Sequence, residues 1–536
     1  MTSPALLLSF VTLLGLSGPA LPQDLQGEAQ KLSGQAPESF DYFGRTVAIH
    51  GERIAVGAFG DAGGGSVQVF RRVQGTWTPE SYLTAPGAWN LGWALDMDAT
   101  RIAAGGQSRG VWIFVDGPSG WTLEGTVLPP PYVGTSDQFG SRTAIDGERL
   151  VLSATKADVH GIDSGLVELY RWNGSTWAFE QELLPLPAAP GRLLGAALDI
   201  QGDTVVLSST TYRDGTGAVW VFRELTPGKW SRVQRIESPM ATTSDEFGFG
   251  ASLQLDGERL IVGEPGNHAG TRRGGAAHVF VRQGGLYVLE QSLFTGDETR
   301  HDNLGSRVAL SGDRALVTAT NRDVAYLWER DTSGWTNTKR LMRASMDGYF
   351  FGDGAALSGD IAAVGDTVDS SVVHQSGGVY VYHVDEPPVG VPFCFGDGSA
   401  GPCPCGNETP VAARAGCGNA GGYGATLLAA GSTSVAADNL VIGAALPDSH
   451  RPAMLLYSYG WQAALPAGDG LECLGVAPAR TWYSSPQQTH WGPGLCGLYG
   501  FVAGDQITFQ VFQRDAAGAC MQGFNTSNAL RVTMVP

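Results

Sequence analysis

A bulky apolar residue followed by glycine recurs seven times, as Phe43-Gly44, Leu91-Gly92, Phe139-Gly140, Leu194-Gly195, Phe247-Gly248, Leu304-Gly305 and Phe351-Gly352. The intervals are 48, 48, 55, 53, 57 and 47 residues. Self-similarity at such a period marks a repeat architecture: one unit cannot bury its apolar face alone, and stacking copies does. Each copy reads as four short strands. Strand A follows the apolar-Gly pair, and a tight polar turn such as Asp146-Gly147-Glu148-Arg149 leads to strand B, an apolar run such as Leu260-Ile261-Val262-Gly263. A loop of variable length precedes strand C, which alternates with period two, as in Gly217 to Phe222. Strand D opens on an aromatic and closes six residues later on an aliphatic: Trp77/Leu83, Trp177/Leu183, Trp230/Ile236, Tyr287/Leu293 and Trp335/Leu341. Trp121 follows suit with one extra residue before Leu128. Four-stranded units in seven copies predict an all-β chain with a seven-bladed β-propeller over residues 21–385.

The seventh copy holds strands A, B and C, ending in Gly378 to Tyr382, and then runs into the proline-containing linker 386–392 without a strand D. Near the start, Glu28 to Leu32 carries text like that of strand D in other copies, Glu180 to Leu183 and Glu290 to Leu293. Residues 28–32 are therefore expected to complete the last blade and remove an open sheet edge.

The Phe-Gly starts, the Asp-Gly-Glu-Arg-Leu turns at 146–150 and 256–260, and the endings Gly57-Ala58 and Gly263-Glu264-Pro265 resemble FG-GAP repeats. Such repeats build the seven-bladed propeller of integrin α chains and of many exported bacterial proteins. The resemblance covers roughly residues 28–385. It implies the fold and no single activity, because these propellers host adhesion, ligand binding and some hydrolases or lyases.

All seven cysteines lie after the linker, at 394, 403, 405, 417, 473, 496 and 520. Segments that alternate as strands follow, including Ala453 to Tyr459 and Gln506 to Phe512, so residues 393–536 are expected to form a small disulfide-bonded β-sandwich-like domain. Cys403 and Cys405 are one residue apart and no histidine lies among the first four cysteines, which suits zinc poorly. The text from Cys403 to Asn407 and from Phe509 to Leu530 resembles a C-terminal domain of large exported proteins from planctomycetes and similar bacteria. That domain usually lacks a counterpart of Cys496. The resemblance thus leaves Cys394, Cys403, Cys405, Cys417, Cys473 and Cys520 as disulfide candidates and Cys496 as the free thiol.

Residues 1–20 read as a signal peptide: Ala5 to Leu16 is too short to span a bilayer and Gly18-Pro19-Ala20 offers small residues for cleavage, although the segment lacks Lys and Arg. No later apolar run is long enough for a transmembrane segment. With 34 Lys plus Arg against 52 Asp plus Glu, the net charge of −18 argues against nucleic acid as a partner. The expected location is outside the cell or on its surface, where cysteines oxidise.

In a four-stranded propeller the D-to-A connections and B-to-C loops share one face. The A-to-B turns are short and uniform, whereas B-to-C loops range from Gln107-Ser108-Arg109 to Lys156 through Ser164, so binding is expected on the loop-rich face. Candidate ligand-binding residues there are Asp41, Asp137, Asp245 and Asp302, before the apolar-Gly pairs, and His160, Asp163, His268, Arg272, Arg273 and His374 in the long loops. The aspartates read either as an acidic rim or as turn residues bonded to their own backbone. The recurring tryptophans read as carbohydrate platforms or as packing between blades; one repeat position favours packing. No cofactor is expected; the loop carboxylates are too few and too irregular for a dedicated calcium cage. Hydrolase, nucleotide and zinc-protease motifs are absent from the sequence. The leading expectation is extracellular recognition or adhesion toward a protein or polysaccharide. A polysaccharide lyase or hydrolase and a structural envelope protein are the alternatives.

Overall fold

The computed structural model describes residues 24–185, 190–240, 249–267, 274–295, 302–344, 350–419, 422–446, 452–475, 478–483, 489–515, 518 and 521–536. The expected signal peptide lies outside the described residues. The described chain is all-β apart from short helical turns. Up to residue 383 it holds seven sheets, numbered here by their strands A: Val47–His50, Leu91–Met97, Phe139–Asp146, Leu198–Gln201, Ser252–Asp256, Leu304–Ser311 and Phe351–Ser358. In sheets 1 to 6 the order is A-B-C-D, each strand antiparallel to its neighbour. Each strand A touches the strand A of the next sheet, and that of sheet 7 touches that of sheet 1, so the arrangement is cyclic and propeller-like.

Sheet 7 takes its fourth strand from the N-terminal segment. Gln30–Leu32 lies antiparallel to Gly378–His383, with Gln30 opposite Val381 and Leu32 opposite Val379. Just before it, Asp24–Gln26 adds a parallel fifth strand to sheet 6, beside Gly334–Leu341. The sequence carried no strand signal for this second pairing, because three residues are too few to show a period.

The core lies between sheets. Strands B are buried on both faces; Leu150, Val151 and Leu152 are all fully inaccessible. The apolar cluster of Val151, Leu169 and Leu183 from sheet 3 with Val205, Leu207 and Trp220 from sheet 4 shows the pattern. Each such side chain contributes about 1.5–3 kcal/mol on burial, so a sheet without neighbours would expose both of its faces.

Two details of the repeat differ from the sequence reading. In the fifth copy, Phe249-Gly250 takes the docking position, since Phe249 pairs with Gly217 and Gly250 has φ 96°. Phe247 and Gly248 lie outside the described residues. The text Phe-Gly-Phe-Gly offers two pairs with the same alternation, so sequence parity alone could not separate them. In sheet 2, strand D ends on the buried Val127 while Leu128 is exposed, which restores the six-residue spacing from Trp121.

Adjacent sheets are also stitched by polar contacts. The Gln181 side chain donates to Trp230 O and accepts from Trp230 N–H, at 2.8 and 2.9 Å. Gln234 does the same for Tyr287, and Gln291 for Trp335. Gln30 repeats the contact with Trp77, tying sheet 7 to sheet 1. On the inner strands, Asp96 Oδ2 accepts from Ile145 N–H and Asp199 Oδ2 from Leu255 N–H, each at 2.7 Å. Burial first, then nearby carboxylates, holds both aspartates well above the usual carboxylate range.

Val391–Phe393, which takes in the last two residues of the expected linker, opens a five-stranded sheet that contains Ala453–Tyr459, Gln506–Asp515 and Gly523–Thr533. Thr426–Ala430, Val441–Ala445 and His490–Trp491 form a three-stranded sheet, and the two share a cluster that includes Leu427, Ile442, Leu455, Phe509 and Val532. Disulfides join Cys394 to Cys473 and Cys403 to Cys417, and Cys405 is disulfide-bonded as well. Cys520 lies outside the described residues. Cys496 is a buried free thiol, which burial and Asp438 push up to about 11.

Three outcomes follow from this architecture. Gln30→Ala leaves the Trp77 backbone groups without their partner, and urea unfolding should register a loss of about 1–2 kcal/mol; an unchanged midpoint would remove the stitch from the account. Asp96 and Asp199 hold their protons more tightly folded than unfolded, so their contribution is full in acid and is lost as pH rises through neutrality. Asp199→Asn keeps the acceptor and should flatten the decline in stability between pH 5 and 8; an equally steep decline refutes the assignment. Thiol titration should find almost no reactive sulfhydryl in the native protein and about one after denaturation without reductant. Recovery of seven would contradict the disulfides.

Candidate functional site

The face where strands A begin is built from joints between consecutive copies. At five of the seven joints the apolar residue of the pair makes a parallel bridge with the glycine that precedes strand C of the previous sheet: Gly65 with Leu91, Gly165 with Leu194, Gly217 with Phe249, Gly275 with Leu304, and Gly377 with Phe43. Every joint brings a D-to-A connection beside the B-to-C loop of the preceding sheet. The opposite ends of strands A and B are joined by two-residue turns in every sheet but the second, which uses three, as between His50 and Arg53 and between Asp146 and Arg149.

Six of the ten expected ligand-binding residues fall within the described chain. Asp41 and Asp137 are buried and accept from the N–H groups of Glu38 and Gly134, at 2.6 and 2.8 Å. Those contacts are turn-forming. Burial raises Asp41, aided by Asp61 and opposed by the Glu38 N–H. Asp302 lies 3.5 Å from Arg322. His160 Nε2 is 2.6 Å from Glu182, and the Asp163 N–H donates to Asp158, so both are held within one loop. The joint between sheets 7 and 1 brings His374 to Phe40, the neighbour of Asp41: Phe40 N–H donates to His374 O at 3.2 Å, and the two rings meet edge to face at 5.2 Å. Asp245, His268, Arg272 and Arg273 lie outside the described residues. Among the described residues no cluster of three or more His, Cys, Asp or Glu is arranged to hold a metal ion. No described helix is long and apolar enough to cross a membrane.

Beneath this face the first turns of strands A enclose a cavity of about 170 Å³. Six of the seven sheets contribute to it, which places it on the axis of the cycle. Its wall carries three arginines, Arg45, Arg142 and Arg307. Arg142 donates to Ala196 O and Ser141 O, and Arg307 to Ser306 O. The Arg45 guanidinium lies 3.9 Å above the Trp93 ring. Burial first and then mutual repulsion lower the pKa of Arg45 and of Arg142; guanidinium stays charged at neutral pH despite this. The sequence reading passed over these residues. The signal was present: Arg142 and Arg307 occupy the same place, second after the glycine of the pair, in copies three and six.

Aromatic rings crowd the rim. Tyr42 stacks on Phe59 with centroids 4.9 Å apart, and Phe59 meets Trp93 edge-on at the same distance. Phe40, Trp89 and Phe350, all on D-to-A connections, are about half exposed or more, at 48%, 59% and 50%. The strand-D tryptophans Trp77, Trp177, Trp230 and Trp335 are buried between sheets, where they pack and do not face ligand. Arginines of the A-to-B turns cover several of them: Arg53 over Trp121, Arg149 over Trp230, and Arg259 over Trp335.

Residues 27–70 match the FG-GAP repeat family. Among curated proteins, none matches the sequence. Solved structures that are similar include a chain of a mitotic checkpoint complex, 11% identical, with a TM-score of 0.45, covering 72% of this chain and 99% of that one. A structural-genomics protein from Lactobacillus plantarum is 16% identical with a TM-score of 0.40, covering 56% of this chain and 84% of its own.

Proposed function

We propose that the chain is an exported recognition protein: a seven-bladed FG-GAP-type propeller that binds an extracellular protein or polysaccharide on its loop-rich face, followed by a disulfide-bonded β-sandwich. The observation that carries this reading is the asymmetry of the two faces. One face has short turns, two residues long in six sheets and three in sheet 2, followed by arginines tied to carboxylates, such as Arg53 to Glu80 and Arg101 to Glu124. The other has loops of unequal length, exposed Trp89, Val159 and Ile162, and an open axial cavity. The exposed rings Phe40, Trp89 and Phe350 stand on the D-to-A connections of this face, whereas the C-to-D hairpins of the other expose only single aliphatics such as Val73, Leu225 and Leu286; recognition surfaces are enriched in aromatic side chains. Disulfides and the FG-GAP repeat are compatible with an extracellular location.

The test is binding of the full exported chain to arrays of extracellular polysaccharides and surface proteins. The double variant Trp89→Ala, Ile162→Ser should lose binding by roughly tenfold or more while its melting temperature stays within about 2 °C. The opposite-face variant Glu52→Ala, Glu148→Ala should bind normally. Loss of binding in the second variant with retention in the first would assign recognition to the other face.

A further inference from the structure

The axial cavity is cationic in an otherwise acidic protein. Arginines at the start of strands B are neutralised, Arg149 by Glu224, Arg259 by Glu290 and Arg314 by Asp385. Among the described residues, Arg45, Arg142 and Arg307 make no ion pair, and the Arg45 guanidinium makes no hydrogen bond at all. The one carboxylate that acts on Arg45 is Asp353, whose Oδ2 accepts from the Thr367 hydroxyl at 2.7 Å. Three guanidiniums on one small cavity repel one another and give up part of their hydration, a cost that carbonyl hydrogen bonds and the Trp93 ring offset without neutralising the charge. A second unanswered group shares the wall. The Thr143 hydroxyl is buried and has no hydrogen-bond partner.

We propose that this cavity binds the acid group of an anionic sugar, a uronate carboxylate or a sugar sulfate ester, held by Arg45, Arg142 and Arg307 with the Thr143 hydroxyl as a further donor. Guanidinium suits this chemistry because its planar N–H groups match the paired oxygens of a carboxylate or sulfate. The carbonyl bonds of Arg142 and Arg307 fix those side chains before ligand arrives, so little freedom is lost on binding. A sugar is favoured over a free ion by the apolar side of the site. Trp93 lines the cavity, and the rings of Phe59 and Tyr42 pack on from it, apolar surface that an inorganic anion cannot use. The volume is that of roughly five or six waters, room for one sugar ring, so a chain end or side branch enters and the rest of the polymer crosses the rim. The proposal rests on the loop-rich face being the recognition face.

Calorimetric titration of the full exported chain with glucuronate, glucose 6-sulfate and inorganic sulfate, at constant ionic strength, tests it. One site per chain is expected for at least one of the sugar acids, with affinity about tenfold or more above that for inorganic sulfate. Arg307→Gln and Arg142→Gln should each weaken that binding about tenfold, and Arg307→Gln should raise the melting temperature in the absence of anion by relieving repulsion. Absence of heat with all three ligands, or equal affinity in wild type and both variants, overturns the site. Inorganic sulfate binding as tightly as the sugars overturns the sugar assignment. A neutral array ligand with calorimetric silence removes this proposal alone; silence in both experiments removes the recognition reading with it.

Discussion

The contact on which the arrangement depends is backbone against backbone, where the apolar-Gly pair of one copy meets the positive-φ residue at the start of strand C of the previous sheet, Asp323 in sheet 6 and glycine in the others. Gly44 has φ 99°, and a Cβ there would fall 2.5 Å from Gly378 O; Gly377 has φ 85°, and its Cβ would fall 2.0 Å from Phe43 O. No side chain fits on either side of the joint, and both conformations favour glycine. The joint therefore sets how far apart neighbouring sheets stand. Phe43 and Phe249, buried at their joints with Gly377 and Gly217, fill the space that the missing side chains leave. Strands B can be apolar on both faces only because that spacing is constant, and the axial cavity exists because the inner strands are kept from closing on one another.

Polar contacts give the packing its direction. Sheets joined by apolar faces alone could slide. The glutamine of strand D bonds both backbone groups of an aromatic in the next sheet, so the two sheets have a single register. At the far edge, Arg53 forks onto Glu80 with two hydrogen bonds near 3 Å while its plane covers Trp121. The planar fork and the ring contact explain why arginine and not lysine holds this place. Only four lysines occur in the sequence, against thirty arginines; the charged residues are used as spacers with fixed geometry.

How far the sequence could be read depended on the range of each signal. Period-two alternation and the tight turns are local, so the all-β class, the four-stranded unit and the FG-GAP likeness could be read from the text. The fifth joint could not, because Phe247-Gly248 and Phe249-Gly250 differ by a shift that preserves alternation. The functional site was less visible. Asp41 and Asp137 drew attention because they recur, and recurrence in a repeat usually reports the turn that every copy needs. Arg45, Arg142 and Arg307 stand 97 and 165 residues apart, and nothing in a linear reading brings them to one wall; the cyclic arrangement does. Thr143 was silent for another reason, since an unanswered hydroxyl is a property of its surroundings.

The N-terminal segment bridges sheets 6 and 7 within nine residues, and the Gln26 side chain donates to His383 O across a sequence separation of 357. During synthesis the first five sheets can stack as they emerge, but the closing seam has to wait until its distant partner appears. Until then Gly378–His383 presents bare N–H and C=O groups, the kind of edge that recruits a second chain. Long-range pairing is slow to form. The most hazardous moment for this molecule is thus its last step of assembly, when a neighbour's leading segment can fill the gap as well as its own, giving an exchanged dimer in place of a closed monomer.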